Sequence, residues 1–163
     1  ASEAPKVGEE AQDFELAGLE GDKVKLSTLV KSGPVVLVVL RGYPGYQCPV
    51  CTLQFGEFIG KANEFKKEGA QVVFVYPGPS DQLKDKAMEF VKGKSYPAHF
   101  SILLDPDFTF TNVYGLRWNA QNETAYPSTF VINRQQKIVF AKISHTHGDR
   151  SKAQDVLQAL AVK

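Results

Sequence analysis

Hydrophobic and polar positions fall along this chain in blocks that switch between strand and helix periods. Val24-Lys-Leu26 alternates as a short strand does, and Ser27 then offers an N-cap to a helical turn around Leu29. Gly33-Pro34 closes that turn. Residues 35–40 follow as an unbroken, valine-rich apolar run, which predicts a strand buried on both faces. Residues 41–47, with Gly42, Pro44 and Gly45, read as a loop. Pro49 suits the first position of a helix whose N-cap is Cys48. Val50, Leu53, Ile59, Ala62 and Phe65 give that helix an apolar face, and Gly56 and Gly60 predict a bend in it. Past Gly69, residues 70–76 form a second core strand. Ser80 caps a helix that runs to about Val91, with Gly93 as its stop signal. A short apolar run at 102–104 precedes a brief helix ending at Tyr114-Gly115. Residues 129–132 and 137–143 flank Asn133-Arg-Gln-Gln136 as a hairpin, and Asp149 caps a last helix carrying Ala153, Val156, Leu157 and Leu160. Strands alternating with helices and closing on a hairpin and a helix predict an α/β sandwich around a central mixed sheet.

Composition narrows the partners. The chain has 163 residues, the length of a single domain spanning 1–163, and enough to bury a core. Lys plus Arg is 19 against 18 Asp plus Glu, a net charge of +1, so no electrostatic footprint for nucleic acid or an anionic membrane surface is present. No apolar run is long enough for a membrane span, so a soluble protein is expected. Neither a G-x-G-x-x-G nor a P-loop lysine motif is found, so the chemistry is expected to need no cofactor. The start, Ala1-Ser-Glu-Ala-Pro5, has no Met and no basic-then-apolar signal pattern. That fits an exported (periplasmic or extracytoplasmic) chain whose signal is already removed, and equally a cytoplasmic one.

The chemistry lies in Cys48 and Cys51, a C-x-x-C. A bond between them closes so short a loop that it restrains the unfolded chain very little, so the pair is no structural staple. Its place at the carboxyl end of a buried strand and on the first turn of a helix favours the thiolate, through unpaired N–H groups and the helix dipole. A second sulfur at this spacing captures an oxidised first one as a disulfide. Position makes Cys48, the N-cap, the more exposed sulfur. Two inert core thiols are one alternative. A zinc site completed by His145 and His147 is another, although that pair lacks the usual ligand spacing and metal is not the expected occupant. By default the two histidines are solvent-exposed, and Trp118, Tyr114 and Tyr126 are packing residues before they are site residues.

The whole pattern resembles the peroxiredoxins, the alkyl hydroperoxide reductase/thiol-specific antioxidant group of the thioredoxin-like superfamily. Val7-Gly-Glu-Glu-Ala-Gln-Asp-Phe14 is similar to the family's opening "G-x-x-A-P-D-F", and Tyr43-Pro44 with Cys48-Pro-Val-Cys51-Thr52 to its "Y-P-x-x-x-T-P-V-C-T" loop. Leu103-Leu-Asp-Pro-Asp107 and Ser128-Thr-Phe-Val-Ile132 fit as well. The resemblance implies a thioredoxin-like three-layer α/β/α sandwich. It makes Cys51 the counterpart of the peroxidatic cysteine, with Tyr43 and Pro44 in the supporting loop and Pro44 shielding the sulfur.

Two positions depart from the family. Cys48 stands where the family has a threonine, and Pro127 where it places an arginine just before "x-T-F". A proline there is similar to the cis-proline that faces a thioredoxin-type C-x-x-C, so a cis Tyr126–Pro127 bond is expected. Losing the guanidinium removes a charge that lowers the thiol pKa and a donor that polarises the O–O bond; Arg41 and Arg117 are candidates to replace it. Three activities follow. One is a thiol peroxidase in which Cys51 attacks a hydroperoxide and Cys48 resolves it, regenerated by a thioredoxin-like or other thiol reductant. The second is a thiol-disulfide oxidoreductase with Cys48 as nucleophile. The third is a non-catalytic module whose dithiol senses redox state.

Overall fold

The computed structural model describes residues 4–161; residues 1–3 of the chain start and the final residues, 162–163, lie outside the described residues. The elements run β1 (Glu15–Gly18), β2 (Lys23–Lys25), α1 (Leu26–Leu29), β3 (Val35–Val39), α2 (Pro49–Gly60), α3 (Ala62–Lys67) and β4 (Gln71–Gly78). They continue α4 (Leu83–Val91), β5 (Phe100–Pro106), α5 (Thr109–Val113), β6 (Ser128–Ile132), β7 (Ile138–Ile143) and α6 (Ala153–Ala161). The seven strands form one sheet in the order β2-β1-β5-β4-β3-β6-β7. β3, β4 and β5 are parallel neighbours at its centre, and β1, β6 and β7 join antiparallel.

Side-chain alternation on β3 divides the core in two. Val36 and Val38 face the cluster built from α2, α3, α4 and α6, while Val35, Leu37 and Val39 face the one containing α1 and α5. All five are fully buried, which is why the run carries no polar alternation. Helices on both faces of the mixed sheet give the expected three-layer α/β/α sandwich. No helix among the described residues is long and apolar enough to cross a membrane.

Several local expectations are corrected. The face of α2 that meets the sheet carries Cys51, Gln54, Phe55 and Phe58, whereas Leu53 is 73% exposed. Phe55 and Phe58 settle the helix rotation, for their rings lock edge-on to Phe74 of β4 at 4.8 and 5.8 Å. Each buried aromatic side chain contributes roughly 1.5–3 kcal/mol, more than one leucine at the surface forgoes. The bend expected at the glycines falls at Lys61, between α2 and α3. Ser27, Ser80 and Asp149 are not the caps: Lys25 and Gln82 hold the N-cap positions of α1 and α4, and α6 begins only at Ala153. The Tyr126–Pro127 bond is trans, contrary to expectation. Pro127 sits in extended chain entering β6, and its carbonyl accepts the Ser144 N–H at 2.8 Å, continuing the β6–β7 pairing.

Candidate active site

Two hydrogen bonds aim the loop after β3. Leu40 N–H donates to the Val75 carbonyl and Tyr43 N–H to the Pro77 carbonyl, so residues 40–43 track β4 past the sheet edge. Gly42 makes the approach possible: its φ of +69° is a left-handed conformation, and a Cβ there would fall on Pro77. Gln47, just before the first cysteine, is pinned from both ends of its amide. Tyr76 Oη donates to its Oε1 at 2.7 Å, and its Nε2 donates to the Lys86 carbonyl at 2.8 Å. Tyr43 lies under the Lys86 ammonium at 5.1 Å, and Pro44 is half-buried beside it.

Cys48 then takes the N-cap of α2 in extended conformation (φ −84°, ψ 115°), with Pro49 at the first helical position, as the spacing predicts. Both cysteines are buried, 1% and 0% exposed, with Cys48 the shallower of the two, as expected, though neither lies open to solvent. The reason is helical. Residues 48, 51, 55 and 58 repeat every three or four positions and share the face that packs on the sheet. The sulfurs are 3.2 Å apart and not bonded.

Arg150 lies across both sulfurs. Its Nη1 donates to Cys51 Sγ at 3.0 Å and its Nη2 to Cys48 Sγ at 3.5 Å. The side chain is aimed by Nε donating to the His147 carbonyl at 2.7 Å and by Nη1 donating to Gln54 Oε1 at 3.3 Å. Gln54 Nε2 in turn donates to the Ser151 carbonyl, and the Ala153 N–H to Glu57 Oε2, tying α2 to the segment that opens α6. A second guanidinium, Arg41, lies beside Cys48 and is 2% exposed. It donates to Glu123 Oε1 through Nη2 at 2.9 Å and Nε at 3.2 Å, and to Tyr46 Oη at 3.1 Å.

These neighbours split the two thiols. Cys48 is pulled down to about 4, chiefly by the hydrogen bond from the Cys51 thiol and further by Arg150 and Arg41, against the effect of burial. Burial, then the neighbouring Cys48, pushes Cys51 well above the usual thiol range. The pair releases one proton readily and holds the second, so a single negative charge is shared under Arg150 and rests on Cys48. This arrangement can attack an electrophilic oxygen or sulfur, stabilise the anion that leaves, and close a disulfide.

Of the sequence-predicted residues, Cys48 and Cys51 are brought together with Arg41. Arg117 is not: it donates to the carbonyls of Trp118, Glu123 and Thr124 and stacks over Phe108 at 4.0 Å. Tyr114 is core, its hydroxyl donating to the Gln12 carbonyl. Trp118 and Tyr126 stack at 4.9 Å, His145 packs edge-on to Tyr126, and His147 is paired with Glu123 at 2.9 Å rather than idle in solvent. Arg150, Glu123 and Gln54 have no signal in the sequence. Arg150 stands in a polar stretch that reads as a helix approach, far from the C-x-x-C along the chain.

Residues 7–141 match the AhpC/TSA family. A putative peroxiredoxin bcp of Helicobacter pylori is 31% identical over 160 residues, covering 95% of this chain and 97% of that protein. Thiol-disulfide oxidoreductase ResA of Bacillus subtilis is 28% identical over 137 residues, covering 84% of this chain and 67% of its own length. Among solved structures, peroxidoxin BcpB from Mycobacterium tuberculosis superposes with a TM-score of 0.76 at 26% identity, covering 98% of this chain and 99% of its own. The fold is thioredoxin-like.

Proposed function

Because this chain belongs to the AhpC/TSA family and is a thiol-based oxidoreductase, we propose that it is a thiol peroxidase working through Cys51 and Cys48 without a cofactor. The observation that carries this reading is the Arg150 fork over both sulfurs, which stands in for the arginine that the family places at position 127. Burial of the two sulfurs also favours a small oxidant over a folded protein disulfide. In the first step the proton of Cys51 passes to Cys48, and the Cys51 thiolate attacks the terminal oxygen of a hydroperoxide. An S–O bond forms as the O–O bond breaks, and the alkoxide leaves as alcohol after taking up the proton. Arg150 donates to the developing negative charge. Cys48, a thiolate again once its proton has gone to the alkoxide, then attacks the sulfenic sulfur; hydroxide departs and takes a proton from solvent to become water, and a Cys48–Cys51 disulfide closes. Two electrons from an external thiol reductant of the thioredoxin type, or another thiol, restore the dithiol by exchange. Tyr43, Pro44 and Pro127 serve as support: the first two shape the loop over Cys51, and the last sets the start of β6.

One observation favours a second reading. The shared charge rests on Cys48, the sulfur that would lead attack on a disulfide, and ResA is a thiol-disulfide oxidoreductase. Rapid-quench mass spectrometry of the reduced protein after one equivalent of hydrogen peroxide separates the two. The peroxidase reading expects loss of two hydrogens far faster than in a simple dithiol. It also expects a trapped sulfenic acid on Cys51 in Cys48→Ser and no fast reaction in Cys51→Ser. Closure at the free-dithiol rate would overturn it and leave Cys48 as the nucleophile toward disulfides.

A further inference from the structure

We propose that Glu123 is the counter-charge of the dithiol, its one carboxylate competing with the thiolate for Arg41 while His147, paired to the same carboxylate, holds the carbonyl that receives Arg150. Glu123 lies in the loop between α5 and β6, outside the family's active-site motifs, with its side chain 14% exposed. Two arms leave it. On one side Oε1 takes both Arg41 donors, at 2.9 and 3.2 Å, and the next residue, Thr124, donates its hydroxyl to the Arg41 carbonyl, so backbone and head group are held together. A guanidinium this buried needs a carboxylate, since an unpaired buried charge is strongly destabilising. On the other side Oε2 meets His147 Nε2 at 2.9 Å. That contact, with the packing of His147 on Trp118 at 5.2 Å, fixes the residue whose carbonyl receives Arg150 Nε. The carboxylate is therefore the shared end of two paths, Arg41 to Cys48 and His147–Arg150 to both sulfurs.

The charges around the dithiol balance through this residue. Arg41 and Arg150 supply two positive charges and the thiolate and Glu123 two negative ones, with His147 the further titratable group paired to the carboxylate on its other side. The remaining titratable group facing Cys51 from β4 is Tyr76, which burial keeps as a neutral phenol donating to Gln47. Glu123→Gln preserves an acceptor for Arg41 and nearly the same shape while removing one negative charge. The thiolate then becomes the principal anion for Arg41. Arg41→Gln does the reverse, removing the cation that Glu123 shares with the Cys48 thiolate.

The test is the thiolate midpoint of the reduced protein, read from absorbance near 240 nm as pH is varied, with no substrate present. Glu123→Gln is expected to lower the midpoint by about one pH unit, a tenfold change in the thiolate-to-thiol ratio, and Arg41→Gln to raise it by about as much. The double variant is expected to return near wild type. A Glu123 that served folding alone would lower the melting temperature and leave the midpoint in place; that result, or shifts of the same sign in both variants, would overturn the proposal. Should one variant fail to fold, the sign of the other decides. The inference rests on the dithiol being the reactive centre and not on which oxidant it meets. A shifted midpoint with peroxide reaction no faster than a free dithiol would sink the peroxidase reading alone.

Discussion

Replacing Arg150 by methionine keeps much of the volume over the sulfurs and removes the fork that spans them. Hydrogen bonds to a charged group contribute about 1.5–3 kcal/mol net. Arg150 is half-exposed, so solvent screens part of the gain, and the lower half of that range is the appropriate one. At 1.36 kcal/mol per pH unit this corresponds to a rise of roughly 1–2 units, moving the Cys48 thiolate from about 4 to about 5–6. The sign has a practical consequence. The group stays ionised at neutral pH in wild type and variant alike, so lost thiolate becomes visible only as pH falls toward about 5. Lost stabilisation of the leaving oxygen slows the reaction at every pH. Absorbance titration near 240 nm combined with stopped-flow peroxide reaction at about pH 5 and about pH 8 therefore separates the two roles. Arg150→Lys retains charge without the fork and should recover the midpoint more than the rate. A midpoint in Arg150→Met within about 0.3 unit of wild type would refute the electrostatic argument, whatever happened to turnover.

Two further outcomes follow from the same geometry. Cys48 titrates at about 4 in the folded reduced protein against about 8.5 in an unfolded chain, so between those values the unfolded state binds the extra proton. Stability of the reduced protein should then rise with pH across that window and fall away as pH drops through about 4, and Cys48→Ser should flatten the rise; equal slopes of melting temperature against pH in both proteins would contradict it. The raised Cys51 acts only above the ordinary thiol range and leaves this window clear. Gly42→Ala should destabilise the fold by about 1–3 kcal/mol and slow disulfide closure, because a Cβ on Pro77 must push the loop that carries Tyr43 to Cys48 off its line. Unchanged denaturant midpoint and unchanged closure rate would show that the loop tolerates the shift.

Much of the architecture was legible because burial writes itself into short apolar runs. β3 and β4 are such runs, and Pro49 after Cys48 marks a helix start by its missing N–H. β1 was not legible: Glu15–Gly18 is a short strand with little alternation, held by register with β2 and β5 rather than by its own residues. Hydropathy misassigns the face of α2, because Leu53 and Gln54 exchange the places it gives them. Gln54 is buried because its amide has two partners, the Ser151 carbonyl and the Arg150 guanidinium. The dithiol itself follows from spacing. The cations around it do not, since Arg41 is placed by a carboxylate far along the chain and Arg150 by a turn after the last strand. The proline at 127 gives no cis bond: the Tyr126–Pro127 peptide is trans, and its place at the entry to β6 is set by pairing with β7 rather than by local sequence.

The short separation of the two sulfurs bears on what the rest of the cell can perceive. Closing 3.2 Å to a bond of about 2.05 Å asks each sulfur to travel roughly half an ångström, within the swing of a side chain and without a turn of helix coming undone. Disulfide closure thus asks for no large displacement of either cysteine. What it alters is charge: the anion vanishes and Arg150, half in solvent, is left without a counter-ion. On the proposed cycle the disulfide form would carry one more positive charge beside the sulfurs, an attraction for an incoming thiolate that is withdrawn once the bond has been reduced. A visitor would tell the two states apart by attraction rather than by shape.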